Sequence, residues 1–192
     1  MARKYEFKPD KPRLGFFNKL FLTQQQRKTL LKWLLYALVL LMLSVVQDVL
    51  LCRVRIFGAT TELVPCGIFL ICLAEGLEGG SVFALVASCL YLFSGTAAGY
   101  YSITFITALA VAVTFFRQAW LIKGFLANIL CAVFAVTVYE MLAFFVGAFL
   151  GLTPLSRIGG FFLTAMMTNL FAPAIYPVVR AISTIGGQEW KE

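Results

Sequence analysis

Six apolar segments, separated by short polar stretches, make up most of the chain after residue 32. The segments are Trp33–Leu51, Leu63–Ala74, Ser81–Phe93, Tyr101–Phe116, Phe125–Leu152 and Ile158–Val179. A helix needs about 20 mostly apolar residues to cross a bilayer, and four of the six approach or exceed that length. The pattern predicts an all-α integral membrane protein, a bundle of six transmembrane helices with two short central segments.

The two short segments, the second and the third, leave two interpretations open. The linker between them, Glu75–Gly80, carries two carboxylates and three glycines, the composition of a water-facing turn. The segments could be two helices extended by this linker, or one re-entrant pair that enters and leaves on the same side. We favour two helices, with Glu75 and Glu78 solvated in the turn between them.

Prolines and length add detail to three of the segments. Pro65 lies at the start of the second segment, where its missing N–H costs nothing in the first turn of a helix. The fifth segment is longer than a span requires, which predicts a tilted helix. Pro173 and Pro177 predict that the sixth helix kinks or ends near them.

The composition excludes a soluble domain and several classes of enzyme. Apolar residues make up 61% of the chain and charged residues 13%, against about 25% charged in soluble domains. The mean hydropathy is +0.89. The chain has no histidine, which excludes Ser-His-Asp and Cys-His catalysis and histidine-ligated haem or zinc. Phosphate-binding and metalloprotease motifs are also missing from the sequence, so we expect no enzymatic activity and no cofactor.

The cysteines also fit a packing role. Four of the five lie inside apolar runs, and no two form a CxxC pair. We expect them to pack as small hydrophobic side chains.

The positive charge is confined to an N-terminal arm. Residues 1–32 hold nine of the 16 Lys and Arg residues and two acidic residues, so the arm alone carries the formal +7 of the whole chain. A polybasic segment beside a span is typical of the cytoplasmic side, where it meets anionic lipid. We therefore divide the chain into a basic cytoplasmic arm (1–32), a polytopic membrane domain (33–180) and a cytoplasmic tail (181–192). The arm is either an interfacial amphipathic helix or a disordered tail, and its long charged region argues against a cleaved signal peptide.

Counting basic residues in the loops predicts the orientation. With six spans and the arm inside, 13 Lys and Arg residues are cytoplasmic and three are external. With a re-entrant pair, four spans remain and the count is unchanged. The positive-inside rule thus predicts that both termini are cytoplasmic, and it does not separate four spans from six.

Glu140 is the one acidic residue deep inside a long apolar segment. A charged group at that depth is costly and faces the interior of a bundle when it occurs. Either Glu140 contacts a proton or a ligand, or it forms a hydrogen-bonded clasp between helices. We favour the clasp, with Asn128, Asn169 or Tyr139 as partner.

A GxxxG pair, Gly147 and Gly151, lies near the outer end of the fifth segment. Small residues at this spacing let two helices approach closely in a membrane. Packing within the chain or turn formation is the more common use of such a pair. We assign these two glycines to a partner interface.

Gln47 near the end of the first span, Thr61-Glu62-Leu63 at the start of the second, and glycines after the second and third spans form a set of short motifs between residues 34 and 120. These motifs resemble the rod shape-determining MreD family of bacterial inner-membrane proteins, with Thr61-Glu62-Leu63 in place of the family's Pro-Asp-Leu. The matching glycines are Gly79, Gly95 and Gly99. The size, the basic N-terminus and the number of apolar segments agree with this resemblance.

The resemblance implies a fold and a function. The fold is similar to that of the substrate-binding subunits of energy-coupling-factor vitamin transporters, a six-helix membrane bundle. The function would be that of a non-enzymatic scaffold of the rod-shape complex, which binds the single-span partner MreC and supports peptidoglycan synthesis with other wall-elongation proteins. The alternative is a vitamin-binding transporter subunit. Ion or proton transport would depend on Glu140 alone.

Overall fold

A computed structural model describes residues 24–51, 59–120 and 124–185 of the chain. Six α-helices follow one another: α1 (Gln24–Val45), α2 (Leu63–Glu75), α3 (Leu77–Phe93), α4 (Tyr101–Trp120), α5 (Phe125–Phe149) and α6 (Ile158–Ser183). A π-helical turn, Val46–Leu50, extends α1, and a 3-10 turn, Leu155–Arg157, precedes α6. The all-α prediction is confirmed for these residues.

The short helix α2 forms the centre of the bundle. Every residue from Leu63 to Leu73 is buried, and each of the other five helices contacts α2. The reason lies in its sequence, which is apolar on all sides of the helix rather than on one stripe. A helix of that kind is stable only when other helices or lipid surround it.

Side-chain contacts define two ends of the bundle. We call the end where α1 begins the basal end and the end where α2 begins the apical end. Lys32 near the start of α1 pairs with Glu75 at the end of α2, and Arg117 near the end of α4 bonds to Leu73. At the other end, Tyr91 near the end of α3 bonds to Glu62, just before α2. Consecutive helices therefore run in opposite directions.

Four stretches of helix are long and apolar enough to cross a membrane. They are Gln26–Val49, Tyr101–Ala119, Phe125–Phe149 and Leu155–Ser183. Their outward faces carry large exposed apolar side chains, such as Phe134 and Leu170, which suit contact with lipid. The chain is therefore a multi-pass membrane protein.

The helix boundaries correct three expectations. First, α1 begins at Gln24 rather than Trp33, so the last part of the predicted arm is helical; the amphipathic piece before it lies outside the described residues. Second, α6 continues through Pro173 and Pro177 to Ser183, so neither proline ends it; a kink at these prolines stays a prediction. Third, Gly76 alone separates α2 from α3, and the rest of the predicted linker is helical.

Two glycines make the tight α2–α3 hairpin possible. Gly76 has φ 86° and ψ −175°, a conformation open to glycine but strained for other residues. Gly80 lies directly against the α2 backbone, where an added Cβ would come within 2.9 Å of the Cys72 Cα and carbonyl oxygen. The Cys72 thiol donates to the Gly80 carbonyl at 3.1 Å across the same contact. Gly76 and Gly80, a GxxxG pair, thus serve packing within the chain.

We expect Gly80→Ala to destabilise the bundle, because its methyl group would force α3 away from backbone atoms that cannot move aside. Overpacking of this kind costs about 1–3 kcal/mol. Gly160→Ala is the matched control, since a Cβ there meets nothing within 4 Å. The midpoints of thermal unfolding in detergent measure both. Equal midpoints for the two variants would show that the α2–α3 contact is not tight.

Candidate functional site

Polar side chains from the surrounding helices meet both ends of α2. The basal cluster consists of Lys32, Tyr36, Glu75 and Arg117. The apical cluster consists of Gln47, Glu62, Tyr91, Glu140 and Thr168. The first and last turns of any helix leave backbone groups without partners inside the helix. In an apolar bundle those groups must be satisfied by other parts of the protein.

The basal cluster is built on a buried ion pair. The Lys32 Nζ lies 2.6 Å from the Glu75 Oε2, and the two side chains are only 7% and 6% exposed. The Tyr36 hydroxyl donates a hydrogen bond to the other carboxylate oxygen of Glu75. The rings of Trp33 and Phe83 pack beside Tyr36, with centroids 5.9 and 6.0 Å from its ring. This apolar cover keeps water from the pair and makes each partner dependent on the other.

Arg117 completes the basal cluster from α4. Its guanidinium donates a hydrogen bond to the carbonyl oxygen of Leu73, in the last turn of α2. The C-terminal end of a helix carries partial negative charge on its free carbonyl groups, so cations are favourable there. Arg117 and Lys32 therefore stabilise an end of α2 at which Glu75 alone would be unfavourable.

The apical cluster satisfies the N–H groups at the other end of α2. The Val64 N–H donates to the Gln47 Oε1 at 3.1 Å, and the Glu62 N–H donates to the Thr168 Oγ1 at 3.0 Å. Side chains of the π-helical turn after α1 and of α6 thus take the place of a local N-cap. The structure thereby gives Gln47, one of the family-motif residues, a role as a long-range cap of α2.

Glu62 brings a carboxyl group into the same region. Its Oε2 accepts a hydrogen bond from the Tyr91 hydroxyl at 3.1 Å. Burial raises the pKa of the Glu62 carboxyl, although the bond from Tyr91 opposes this shift. Glu62 also lies close enough to Glu140 on α5 for the two carboxyl groups to interact electrostatically. The sequence suggested a single acid at this depth, whereas the fold brings two together.

Glu140 does not form the predicted clasp with the asparagines. It is 2% exposed, and its Oε1 has no hydrogen-bond partner among the described residues. Asn128 instead donates to the Tyr176 hydroxyl at 2.8 Å, and Asn169 donates to the Thr137 Oγ1 at 3.2 Å. Tyr139 donates to the Ser102 Oγ at 3.4 Å. Hydrogen bonds between polar side chains do join α5 to α6, but they are made by Asn128 and Asn169 without Glu140.

The GxxxG pair of α5 takes part in a turn. Gly147 is buried, and an added Cβ would come within 2.5 Å of the Thr153 Oγ1. The Gly147 carbonyl accepts from the N–H groups of Leu152 and Thr153, and Gly151 has φ 72°. Both glycines therefore shape the end of α5, and their contact with a partner stays a prediction.

The remaining motif residues have local structural positions. Gly79 lies beside Trp33, and an added Cβ would be 3.3 Å from the ring. Gly95 has φ 77° in the turn after α3, and Gly99 lies against the ring of Tyr101. Thr61 and Leu63 are both buried at the start of α2. Gly79 therefore allows α3 to pack closely against Trp33 of α1, and Gly95 and Gly99 belong to the connection between α3 and α4.

Metal ligands and reactive thiols do not gather in the described part of the chain. No group of three His, Cys, Asp or Glu residues there could hold a metal ion. Cys66, Cys72 and Cys131 are buried and unbridged, and they pack among apolar side chains.

Sequence reasoning missed the partners of two carboxylates. Glu75 was expected in a solvated turn, but it forms the buried pair with Lys32, a residue assigned to the basic arm. The spacing Lys32-x-x-x-Tyr36 on one face of α1 was an available signal, since residues four apart are neighbours on a helix. Glu62 was noted only as a motif residue, because its approach to Glu140 depends on the packing of α2 against α5.

Comparison of the chain with protein-family models, with curated proteins and with solved structures finds no match in any of the three.

We expect Lys32→Met to lower stability by about 3–5 kcal/mol, because it leaves the Glu75 carboxylate buried without its cation. Adding Glu75→Gln to that variant should recover most of the loss, because the double variant buries no unpaired charge. Lys28→Met, one turn earlier and exposed, is the control. Unfolding midpoints in detergent provide the measurement. If Lys32→Met matched Lys28→Met, the ion pair would not hold α1 to α2.

Proposed function

We propose that the protein is a non-enzymatic scaffold of a bacterial rod-shape complex, which binds a single-span MreC-like partner and other wall-elongation proteins through its helix surfaces. The sequence resemblance between residues 34 and 120 suggests this assignment. One structural observation supports it most directly: α2 fills the centre of the bundle and is tied at both ends to its neighbours. The polar side chains of the two clusters hold the helices together. In this proposal, partner proteins bind to the outer faces of the spans.

The proposed scaffold has six spans, with α2 and α3 crossing as a pair and both termini cytoplasmic. A 13-residue helix covers only about 20 Å, less than the hydrocarbon core. Because α2 is enclosed by protein and capped at both ends, it can be shorter than a lipid-exposed span. Lys28, Lys32, Arg117 and Arg180 lie towards the basal end, which the positive-inside rule assigns to the cytoplasm.

Cysteine labelling in intact cells tests this orientation. In a cysteine-free background, we expect Ser156→Cys at the apical end to react with an impermeant thiol reagent and Thr184→Cys at the basal end to resist it. Both positions are exposed and lie beside the first and last turns of α6, so they differ mainly in the side of the membrane. Reversed labelling would overturn the proposed topology.

The scaffold assignment is tested by the proteins that accompany the chain. We expect purification in mild detergent to recover a single-span MreC-like protein and wall-synthesis enzymes, identified by mass spectrometry. A clean deletion should give rounded or swollen cells, because wall synthesis would be mislocalised. Unchanged rod shape in the deletion strain would contradict the assignment.

A second candidate, the vitamin-binding subunit of an energy-coupling-factor transporter, is favoured by the apical cluster. The unbonded Glu140 Oε1, together with Glu62 and Tyr91, offers acceptors and a donor that could bind a small cationic molecule. The same purification distinguishes the two functions. Recovery of transporter ATPases instead of wall-synthesis proteins, with loss of vitamin uptake in the deletion strain, would favour the transporter.

A further inference from the structure

The apolar outer surface of the bundle is taller on one side than on the other. Glu62 provides a reference level, because its N–H bonds to Thr168 of α6 and its carboxylate accepts from Tyr91 of α3. Tyr91 and Thr168 therefore lie at about the same distance from the basal end. Beyond this level α3 has two more residues, to Phe93, whereas α6 has ten, back to Ile158. At a rise of about 1.5 Å per residue, α6 reaches about 12 Å further in the apical direction.

The taller side is apolar nearly to its end. In the apical half of α6, the side chains of Met166, Phe162 and Ile158 are about half exposed. Leu155 in the turn before α6 is 76% exposed, and Phe149 at the end of α5 is 93% exposed. Water is an unfavourable environment for a group of large apolar side chains, whereas hydrocarbon is a favourable one. The apical part of the α5–α6 hairpin therefore suits contact with lipid.

The shorter side, the outer face of α3, has polar residues at both ends. Its large exposed side chains are all apolar and begin at Val82 and end at Phe93. The rise between these two residues is about 17 Å, whereas the hydrocarbon core of a bilayer is about 30 Å thick. Glu78 is exposed before this apolar face, and after it the Ser94 hydroxyl pairs with that of Thr96 in an exposed turn. The apolar face of α3 is therefore too short to match an undisturbed bilayer.

α3 lies alongside a helix that is long enough to span the membrane. The Ser88 Oγ lies 3.3 Å from the Thr107 Oγ1 of α4, near the middle of both helices. The small residues of α3 that are buried face the bundle: Gly80, Ala84 and Ala87. Contacts between helices in a membrane favour small residues, whereas the outer face of α3 carries large ones. This outer face therefore suits acyl chains better than another span.

Tilting the bundle as a rigid unit does not remove the difference in height. A tilt shortens the projection of every helix on the membrane normal, so the α3 side becomes shorter together with the α6 side. A bilayer accommodates a short hydrophobic surface by becoming thinner beside it.

We propose that lipid covers the outer face of α3 and that the apical leaflet is thinned there, so that its surface descends by about 12 Å from the tip of the α5–α6 hairpin to the α3–α4 turn. The exposed Ser156 and Arg157 then meet headgroups at the tip, and Ser94 meets them at the turn. The thinned leaflet does not depend on the scaffold assignment.

Spin labels on the full-length protein in dioleoyl phosphatidylcholine vesicles test the proposal. In a cysteine-free background, each variant carries one label at an exposed position: Ser94→Cys, Met166→Cys, Ile158→Cys or Val86→Cys. Collisions of the label with oxygen and with a water-soluble nickel complex give its depth in the membrane. Ser94 and Met166 both lie about one turn or less beyond the level of Tyr91 and Thr168, so their height in the bundle is nearly the same. Ile158 is the control, about 12 Å further along α6.

We expect the label at Ser94 to meet the nickel complex as readily as the label at Ile158, and the label at Met166 to meet oxygen instead. The depths measured at Ser94 and Met166 should then differ by about 10 Å, although the two positions have nearly the same height in the bundle. Equal depths would overturn the proposal, whether both labels lie in lipid beneath a flat surface or both lie in water beside a projecting hairpin.

The label at Val86 identifies what covers the middle of α3. We expect it to collide freely with oxygen and rarely with nickel, as a lipid-facing position does. Shielding from both reagents would mean that a protein covers α3, and free access of nickel would mean that water does. Either result would also overturn the proposal.

Discussion

A helix enclosed by other helices cannot use water to satisfy the backbone groups at its ends, and α2 is enclosed along nearly its whole length. Each unsatisfied group in an apolar medium costs several kcal/mol. Side chains from outside α2 provide hydrogen bonds to backbone groups at both of its ends. Gln47 and Thr168 accept hydrogen bonds at the start of the helix, and Arg117 donates one near its end. These bonds fix where α1, α4 and α6 lie relative to the centre.

Charged side chains are also distributed along the axis of α2. The N-terminal end of a helix favours negative groups and the C-terminal end favours positive ones. Glu62 and Glu140 lie towards the start of α2, while Lys32 and Arg117 lie at its end. A buried ion pair often adds no more stability than an apolar contact of similar volume. A shifted arrangement of α1 against α2 would leave Lys32 or Glu75 buried without its partner, which is strongly unfavourable.

The apolar pattern predicted six helices and their order, because the length of an apolar run and its polar borders are local properties. The ends of the helices were less predictable. α1 extends back to Gln24 because Gln, Arg and Lys are good helix formers and Lys32 finds a partner on α2. The predicted linker Glu75–Gly80 is reduced to Gly76, because Gly80 in the first turn of α3 allows α3 to pack closely against α2.

The polar sites depended on packing that one sequence does not reveal. Gln47 and Glu62 were identified from motif resemblance, but their bonds to Val64 and Tyr91 join separate helices. Asn128 and Asn169 were named as possible partners of Glu140, but they bond to Tyr176 and Thr137 instead. When several acceptors lie at similar depth, rotation of each helix decides which pair meets. That rotation is set by the full contact surface of the helix.

The two ends of α2 differ in how completely their polar groups are satisfied. At the basal end, Glu75 has both a cation and a hydroxyl donor, and aromatic rings cover the pair. At the apical end, the Glu140 Oε1 is buried and has no hydrogen-bond partner among the described residues. The basal carboxylate is therefore fully paired, whereas the apical end holds a buried acceptor that the packing of the described helices leaves unpaired.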